Sequence, residues 1–481
     1  MDLVVVSNRV ARAKPNEPMT GGLAAALLPV VEKSGAIWVG SSGRVRDNAS
    51  KDSFAEIESL GTGALALLDL PAAHYGGYYE GFANSALWPA LHSRTDLIRT
   101  SLDDYQSYRE VNAFMARALM RFRKPTAAFW IQDYHFLALG AEMRNLGVKN
   151  PIGFFLHTPW PASRIISGVP HHRELVEAML AYDLIGFQTE HDSANFIGYL
   201  RSELGLDVEG GIVTSRFGTS RVAAFPIGID VDGFAAQAQR ASSHPDVSRL
   251  RKSLHGERLA IGVDRVDYSK GLVNRIGAFD RLFEMQPSFK RSVSLLQIAT
   301  PSRGGIEAYS NLQDELSKQV TEVNGRHGEV DWTPIRYLSK GYGQTVLAGF
   351  YRAAQVGVVT PLHDGMNLVA KEYVAAQNPA DPGVLVLSKF AGAANELDTA
   401  LLVNPHDIDG MARTIAAALS MPATERRLRW EAMMGKLRTG TIHRWFADFI
   451  ETLEHSHTAI APTVPSAVIR PLRSAVGGLY H

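Results

Sequence analysis

The chain contains no cysteine. That excludes disulfides, thiolate zinc sites and cysteine nucleophiles. It also lacks an excess of either charge, since Lys+Arg and Asp+Glu both number 49. No global field draws it to nucleic acid or to a membrane surface, and neither is expected as a partner. An anionic ligand must then be held locally, by particular arginines, lysines and helix ends. No apolar run approaches the roughly 20 residues of a membrane-spanning helix. The first apolar stretch, Leu3–Val6, has no basic region before it and no cleavage pattern after it. It reads as a strand, and the expected location is cytoplasmic. There is no Walker loop, no nucleophile elbow and no Asp-x-Asp metal loop in a suitable place. No G-x-G-x-x-G opens either half, which removes a two-domain dehydrogenase. His171-His172 lacks further ligands at metal spacing, so no metal site is expected.

What is present fits an enzyme of two domains: 481 residues, 46% hydrophobic and 20% charged. Short β-rich runs alternate with longer helical patterns. In the first half these runs are Leu3–Ser7, Ile37–Gly40, Ala128–Gln132, Ile152–His157, Leu184–Gln188 and Val222–Pro226. Helical patterns at Leu23–Lys33 and Asp104–Phe122 lie between them. After Gly228 the pattern restarts, with Leu259–Val263, Val293–Ala299, Val356–Thr360 and Val384–Leu387. The helix from Leu272 carries Ile276, Phe279 and Phe283 on one face. This alternation predicts an α/β chain with two Rossmann-like, doubly wound parallel sheets. Ligands in such sheets bind beyond the carboxyl ends of the strands, so a cleft between the two is the expected site. The proline-containing stretch from Ala461 reads as an extended tail.

Three segments carry the chemistry. The opening strand ends in Ser7-Asn8-Arg9, and Gly21-Gly22 precedes a helix, where free N–H groups can meet an anion. The second segment is Asp264-Arg265-Val266-Asp267-Tyr268-Ser269-Lys270-Gly271, after a strand and before a helix. Arg265 and Lys270 suit a diphosphate. A loop closed by salt bridges to Asp264 and Asp267 explains the same residues. The third, Thr360 to Glu372, leaves a buried strand and enters a helix near Asn367. Backbone N–H groups at Leu368 and Val369 would face a phosphate. Asp364 would accept from sugar hydroxyls and Glu372 from ribose hydroxyls. An ordinary helix capped by Asn367 accounts for the asparagine but not for Asp364-Gly365-Met366. Arg303, Asp133 and His157 also follow strands. Trp38, Tyr79 and Trp88 are candidates to stack on sugar rings, or else core aromatics.

Taken in order, Ser7-Asn8-Arg9, Gly21-Gly22-Leu23, Leu87-Trp88-Pro89, Asp133-Tyr134-His135, Gly153 to His157, Gly186 to Glu190, Asp267 to Gly271, Asp364 to Glu372 and Phe390 to Leu397 resemble trehalose-6-phosphate synthases. The resemblance implies a B-type, two-Rossmann glycosyltransferase that moves glucose with retention from a nucleotide sugar to glucose 6-phosphate. It implies an acceptor domain over 1–228, a donor domain over 229–440, a returning helix over 441–460 and a tail over 461–481. Arg9, Tyr79, Trp88, Asp133 and Arg303 would hold glucose 6-phosphate. Gly21, Gly22, Arg265, Lys270, Tyr342, Leu368, Val369, Ala370, Lys371 and Glu372 would hold the nucleotide. His157, Asp364, Gly365, Met366 and Asn367 would hold the transferred glucose. His157, Arg265, Lys270 and Asp364 would carry the catalysis. Neither metal nor cofactor is called for, and homo-oligomerisation is left open. Departures from the family pattern stand at Ser41 (tryptophan in the family), Gln132 (histidine) and His363 (arginine). The competing functions are a related transferase with another acceptor, such as glycerol 3-phosphate, and an inactive sugar-phosphate sensor.

Overall fold

The structure, a computed structural model, describes residues 2–10, 22–47 and 54–458. Gly21 and the 461–481 segment lie outside them. The β-rich runs build two sheets, taken up one after the other along the chain. The first has ten strands in the order β3-β4-β2-β1-β5-β6-β7-β10-β9-β8. Its parallel centre is β1 (Asp2–Arg9), β2 (Ile37–Arg46), β4 (Gly63–Pro71), β5 (Ala127–Gln132), β6 (Ile152–Phe155), β7 (Leu184–Phe187) and β10 (Gly218–Ala224). Antiparallel edges are added by β3 (Phe54–Leu60), β8 (Val208–Glu209) and β9 (Ile212–Ser215). The second sheet has six strands, wholly parallel, in the order β13-β12-β11-β14-β15-β16. These are β11 (Arg258–Arg265), β12 (Val293–Thr300), β13 (Ile335–Leu338), β14 (Val356–Val359), β15 (Val384–Ser388) and β16 (Leu401–Val403).

Each sheet reverses its winding once, at β1 between β2 and β5 and at β11 between β12 and β14. Such reversals open a crevice at the carboxyl ends of the strands. The loops after β5, β6, β11, β12 and β14 therefore all reach the region between the sheets. The central strands are buried on both faces, as their unbroken apolar runs require. Ile276, Phe279 and Phe283 are fully buried on the helix Leu272–Met285.

The chain passes between the two sheets twice, and the crossings touch. A Cβ on Gly228 would stand 2.0 Å from the Gly440 carbonyl oxygen, so no larger residue fits there. Ile442 N–H then bonds the Ile229 carbonyl at 3.2 Å. The last helix, Ile442–Thr458, lies back on the first sheet. Phe449 packs on Trp130, ring centres 4.8 Å apart, and on Phe225 at 5.1 Å. Gly153 and Gly186 make the room, because a Cβ on either would come within 2.8 Å of that ring. One apolar core thus runs from β5 and β6 through the last helix to Tyr373 and Trp430 of the second domain. Phe449→Ala should lower unfolding stability by about 3–5 kcal/mol, as for other buried aromatics. Urea denaturation checks this; a loss below about 1 kcal/mol would show that the helix is not part of the core.

Candidate active site

Between the sheets lies a cleft of about 490 Å³, with a wall from each domain. On the first-domain side, residues Gly76–Leu87 are wound as a π-helix. Its i→i+5 bonds make a wider turn than an α-helix. On an α-helix, at 100° per residue, Tyr79 and Trp88 would face opposite sides. Here both reach the cleft. Asp133 follows β5 with a positive φ of 74°, and its carboxylate accepts the His157 backbone N–H at 3.2 Å. Burial pushes the Asp133 carboxyl up to about 6, against the pull of that hydrogen bond and of Arg303 and Arg265.

On the second-domain side, the loop after β11 sorts its charges. Asp264 is taken by the buried Arg275 at 2.5 Å, not by Arg265 or Lys270. Asp267 is fully buried and receives Arg303 at 2.9 Å, with Tyr309 and Trp88 also pointing to it. Burial alone would raise its carboxyl, but Arg303, Arg265 and Lys270 hold it at about 2. Lys270 reaches Asp364 at 2.5 Å. No ion pair is found for Arg265 among the described residues; it is exposed, with its guanidinium 5.9 Å from the Trp88 ring centre. The salt-bridge reading therefore holds for Asp264 and Asp267, with other partners, and leaves Arg265 facing the cleft.

The loop after β14 runs from Asp364 to Asn367, whose φ of 74° turns the chain into the helix Leu368–Ala376. Asn367 does not cap that helix with its side chain; its amide donates to Asp364 at 3.0 Å. A Cβ on Gly365 would meet the His157 carbonyl oxygen at 2.1 Å. The glycine thus lets the donor loop touch the first domain. Met366, Asn367, Leu368, Val369 and Glu372 line the cleft, as does Tyr342.

Of the expected contacts, Arg9, Gly365, Ala370 and Lys371 do not line this cleft. Gly365 presses on His157 and is not on the wall. Ala370 is buried in the core. Lys371 is fully buried, ion-paired with Glu396 and bonded to the Ile227 carbonyl at 2.7 Å. Arg9 is exposed at the end of β1, against Gly43, and Asn8 takes the place on the wall. Trp38 is core: it is fully buried and donates to Ser7 Oγ at 2.8 Å. Gly22 opens the helix Gly22–Ser34, as expected of a glycine at a helix start.

The cleft also holds residues that the sequence reading passed over, chiefly His92, Tyr134, His135 and Gln188. Each stands in or beside a motif, and Gln188 follows β7 directly, which was the available signal. Burial keeps the histidines neutral: His92 is held down to about 4, and His135 and His157 to about 3. Both ring nitrogens of His135, Asn367 Oδ1, Arg303 Nε and Tyr351 OH are buried without a protein partner. Unpaired polar atoms are rare in folded proteins, and these five belong to residues that line the cleft, although others lie elsewhere in the protein. Among the departures, Gln132 bonds His157, and His363 bonds Ser93 across the domains at 3.3 Å. Ser41 Oγ accepts the Gly43 N–H at 3.0 Å.

Two facing α/β domains with cations and a helix start at the cleft between them are the architecture of B-type glycosyltransferases, a likeness of fold that does not by itself fix an activity. The glycosyltransferase family 20 model matches residues 3–455. The trehalose-6-phosphate synthase of Sinorhizobium fredii is 45% identical, over 94% of this chain and 98% of that relative. The structure of a UDP-forming alpha,alpha-trehalose-phosphate synthase from Burkholderia xenovorans, in complex with glucose-6-phosphate, superposes with a TM-score of 0.90. It is 44% identical, covering 94% of this chain and 100% of that one. An E. coli protein solved with UDP-2-fluoro glucose superposes with a TM-score of 0.88 at 38% identity, over 94% and 99% of the two chains. The chain belongs to glycosyltransferase family 20.

Glu372 is half-buried at the cleft with no ion-pair partner among the described residues, and burial raises its carboxyl to about 7. Ribose hydroxyls donating to it would favour the carboxylate and lower that value. UDP binding at pH 7 should then release about half a proton from this group, more below pH 7 and less above. Calorimetry in buffers of different ionisation enthalpy measures the release, and Glu372→Gln should remove that share. Equal release from both proteins would separate Glu372 from the ribose.

Proposed function

We propose that this protein transfers glucose from UDP-glucose to the anomeric hydroxyl of glucose 6-phosphate. The α configuration is retained, and the products are α,α-trehalose 6-phosphate and UDP. The observation that carries this reading is the division of the cleft. Arg265, Lys270 and the start of the helix Leu368–Ala376 stand on one wall; Tyr79, Trp88 and Asp133 stand on the other, with Arg303 stacked on Trp88 at 3.9 Å. The first group suits a diphosphate, and the second a sugar ring with its phosphate. A glycerol phosphate acceptor would have no use for Tyr79 and Trp88 as a platform. The domain boundary falls at 228/229, where the two crossings touch, with 441–460 returning to the acceptor domain. No described helix is long and apolar enough to cross a membrane. A cytoplasmic enzyme acting on two small phosphorylated substrates fits that.

Catalysis follows from positioning and charge. The acceptor hydroxyl attacks C1 on the face that the diphosphate leaves, through an oxocarbenium-like state, and its proton passes to the leaving phosphate oxygen. Asp364 is bonded to Lys270 and Asn367, an arrangement of an orienting group rather than of a free nucleophile. Arg265, Lys270 and the backbone N–H groups of Leu368 and Val369 would stabilise the charge that grows on the diphosphate. Holding both sugars in one cleft supplies the orientation.

Incubation with UDP-glucose and glucose 6-phosphate, read by NMR, should show α,α-trehalose 6-phosphate. Turnover of glycerol 3-phosphate instead, or binding without turnover, would replace this reading with the related transferase or the sensor. Lys270→Ala should lower kcat about 100-fold or more, the scale of one donor to a developing charge, with much less effect on uridine binding. Near wild-type turnover in that variant would remove Lys270 from the chemistry.

A further inference from the structure

A line of hydrogen bonds runs from the interdomain crossing through the His157 ring. Ile227 donates its backbone N–H to Gln188 Oε1 at 3.1 Å. With its oxygen engaged, Gln188 turns its amide nitrogen to His157 Nδ1, 3.3 Å away. An amide nitrogen can only donate, so Nδ1 must be the bare, accepting nitrogen. In the neutral ring the proton is then on Nε2, which faces Gln132 Oε1 at 2.9 Å. This fixes the Gln132 amide as well, because the opposite orientation would set N–H against N–H. The arrangement has a cost: Gln132 is fully buried and its amide nitrogen has no protein partner. A leucine there would avoid that cost, so the glutamine oxygen needs a reason.

We propose that Gln132 and Gln188 are positioning residues that lock His157 as the Nε2–H tautomer, so that the imidazole presents Nδ1 to the transferred sugar as a hydrogen-bond acceptor. This rests on the reading of the cleft as the site of the donor glucose. His157 and Gln188 line the cleft, whereas Gln132 stands behind them. The 3.3 Å contact is the weaker of the two, and it is the one that a hydroxyl can enter. A sugar hydroxyl between them donates to Nδ1 and accepts from the Gln188 amide. Fluorine or hydrogen in its place can do at most one of the two. The line is anchored at its far end, since the Ile227 carbonyl accepts from Lys371 of the helix whose start faces the diphosphate. Histidine, the family's residue at 132, can also accept from Nε2–H through one ring nitrogen. Glutamine does so without a titrating group.

The test uses the full-length protein labelled with 15N-histidine, with His157 assigned by comparison with His157→Asn. Two-bond proton–nitrogen correlations should show a protonated Nε2 and a bare Nδ1. A proton on Nδ1 in the wild type overturns the proposal without any variant. Kinetics supply the second readout. Gln132→Leu should mix the tautomers and lower kcat/KM for UDP-glucose about tenfold, the scale of one hydrogen bond, while UDP binding is unchanged. Gln132→His should restore the Nε2–H signal and most of the activity. A role in packing alone predicts the reverse order, with leucine tolerated and histidine no better, and that result also overturns the proposal. If the donor-site reading itself is at fault, the wild type transfers nothing from UDP-glucose although the tautomer is Nε2–H.

Discussion

Charge buried between two domains is the constraint on which the rest of this structure turns. Arg303 and Lys270 sit largely out of solvent in the cleft, and each is paired with a carboxylate, Asp267 or Asp364. An unpaired ion there would cost several kcal/mol, and removing one partner of such a pair typically costs 3–5 kcal/mol. The carboxylates therefore make the cations tolerable before any substrate phosphate arrives. They also set an exchange: a phosphate must offer a cation more than Asp267 or Asp364 already does. Arg265 makes no such exchange, since no described carboxylate pairs with it, and it is the cation most open to the leaving diphosphate.

The backbone contacts around the cleft explain how such a site holds its shape. Gly365 lies against the His157 carbonyl, and a Cβ on Gly392 would meet the Gly365 carbonyl oxygen at 1.8 Å. The donor loop is thus stacked between the first domain and the segment after β15. Behind it, Gly228 touches Gly440, and Lys371 ties the donor helix to the Ile227 carbonyl. Domain movement must pass through these few crossing residues, because the apolar core that includes Phe449 continues across the same place. Close-packed contacts of this kind allow small discrete shifts rather than free opening.

Much of this was legible in the sequence. The parallel strands are buried on both faces and read as unbroken apolar runs, which is why β1, β5, β11 and β14 were placed. The parallel β4, β13 and β16 were not, although β4 is a largely apolar run. Nor were the antiparallel edges β3, β8 and β9, which are short or half-exposed, with no buried face strong enough to mark a strand. Within the donor motif the expectation placed a helix near Asn367 but took Asp364 to Glu372 as a continuous set, without dividing that helix into faces. On a 3.6-residue period Leu368, Val369 and Glu372 share the cleft face, so Ala370 and Lys371 must turn into the protein. Trp38 took the core alternative: it stands within β2, at a stretch buried on both faces, and not at the strand's carboxyl end. Arg9 follows the register shift between Ser7 and Arg9 in the pairing of β1 with β2, which no residue pattern announces. The motif resemblance supplied what spacing could not, namely which of two equally good readings of the Arg265–Lys270 loop to test first.

The electrostatics of the cleft then separate into two kinds of group. Its positive charge comes from Arg265, Lys270, Arg303 and helix N–H groups. The three histidines, which could have added charge, are neutral because burial and nearby cations oppose their protonation. The groups that do titrate near neutrality are Asp133 and Glu372, both held above the usual carboxylate range by burial. Both face positions where a sugar hydroxyl would donate. Each proton they shed on binding ties hydroxyl recognition to pH. A cleft built this way distinguishes the two halves of its ligands by different physics: fixed charge for the phosphates, and adjustable acceptors for the sugars.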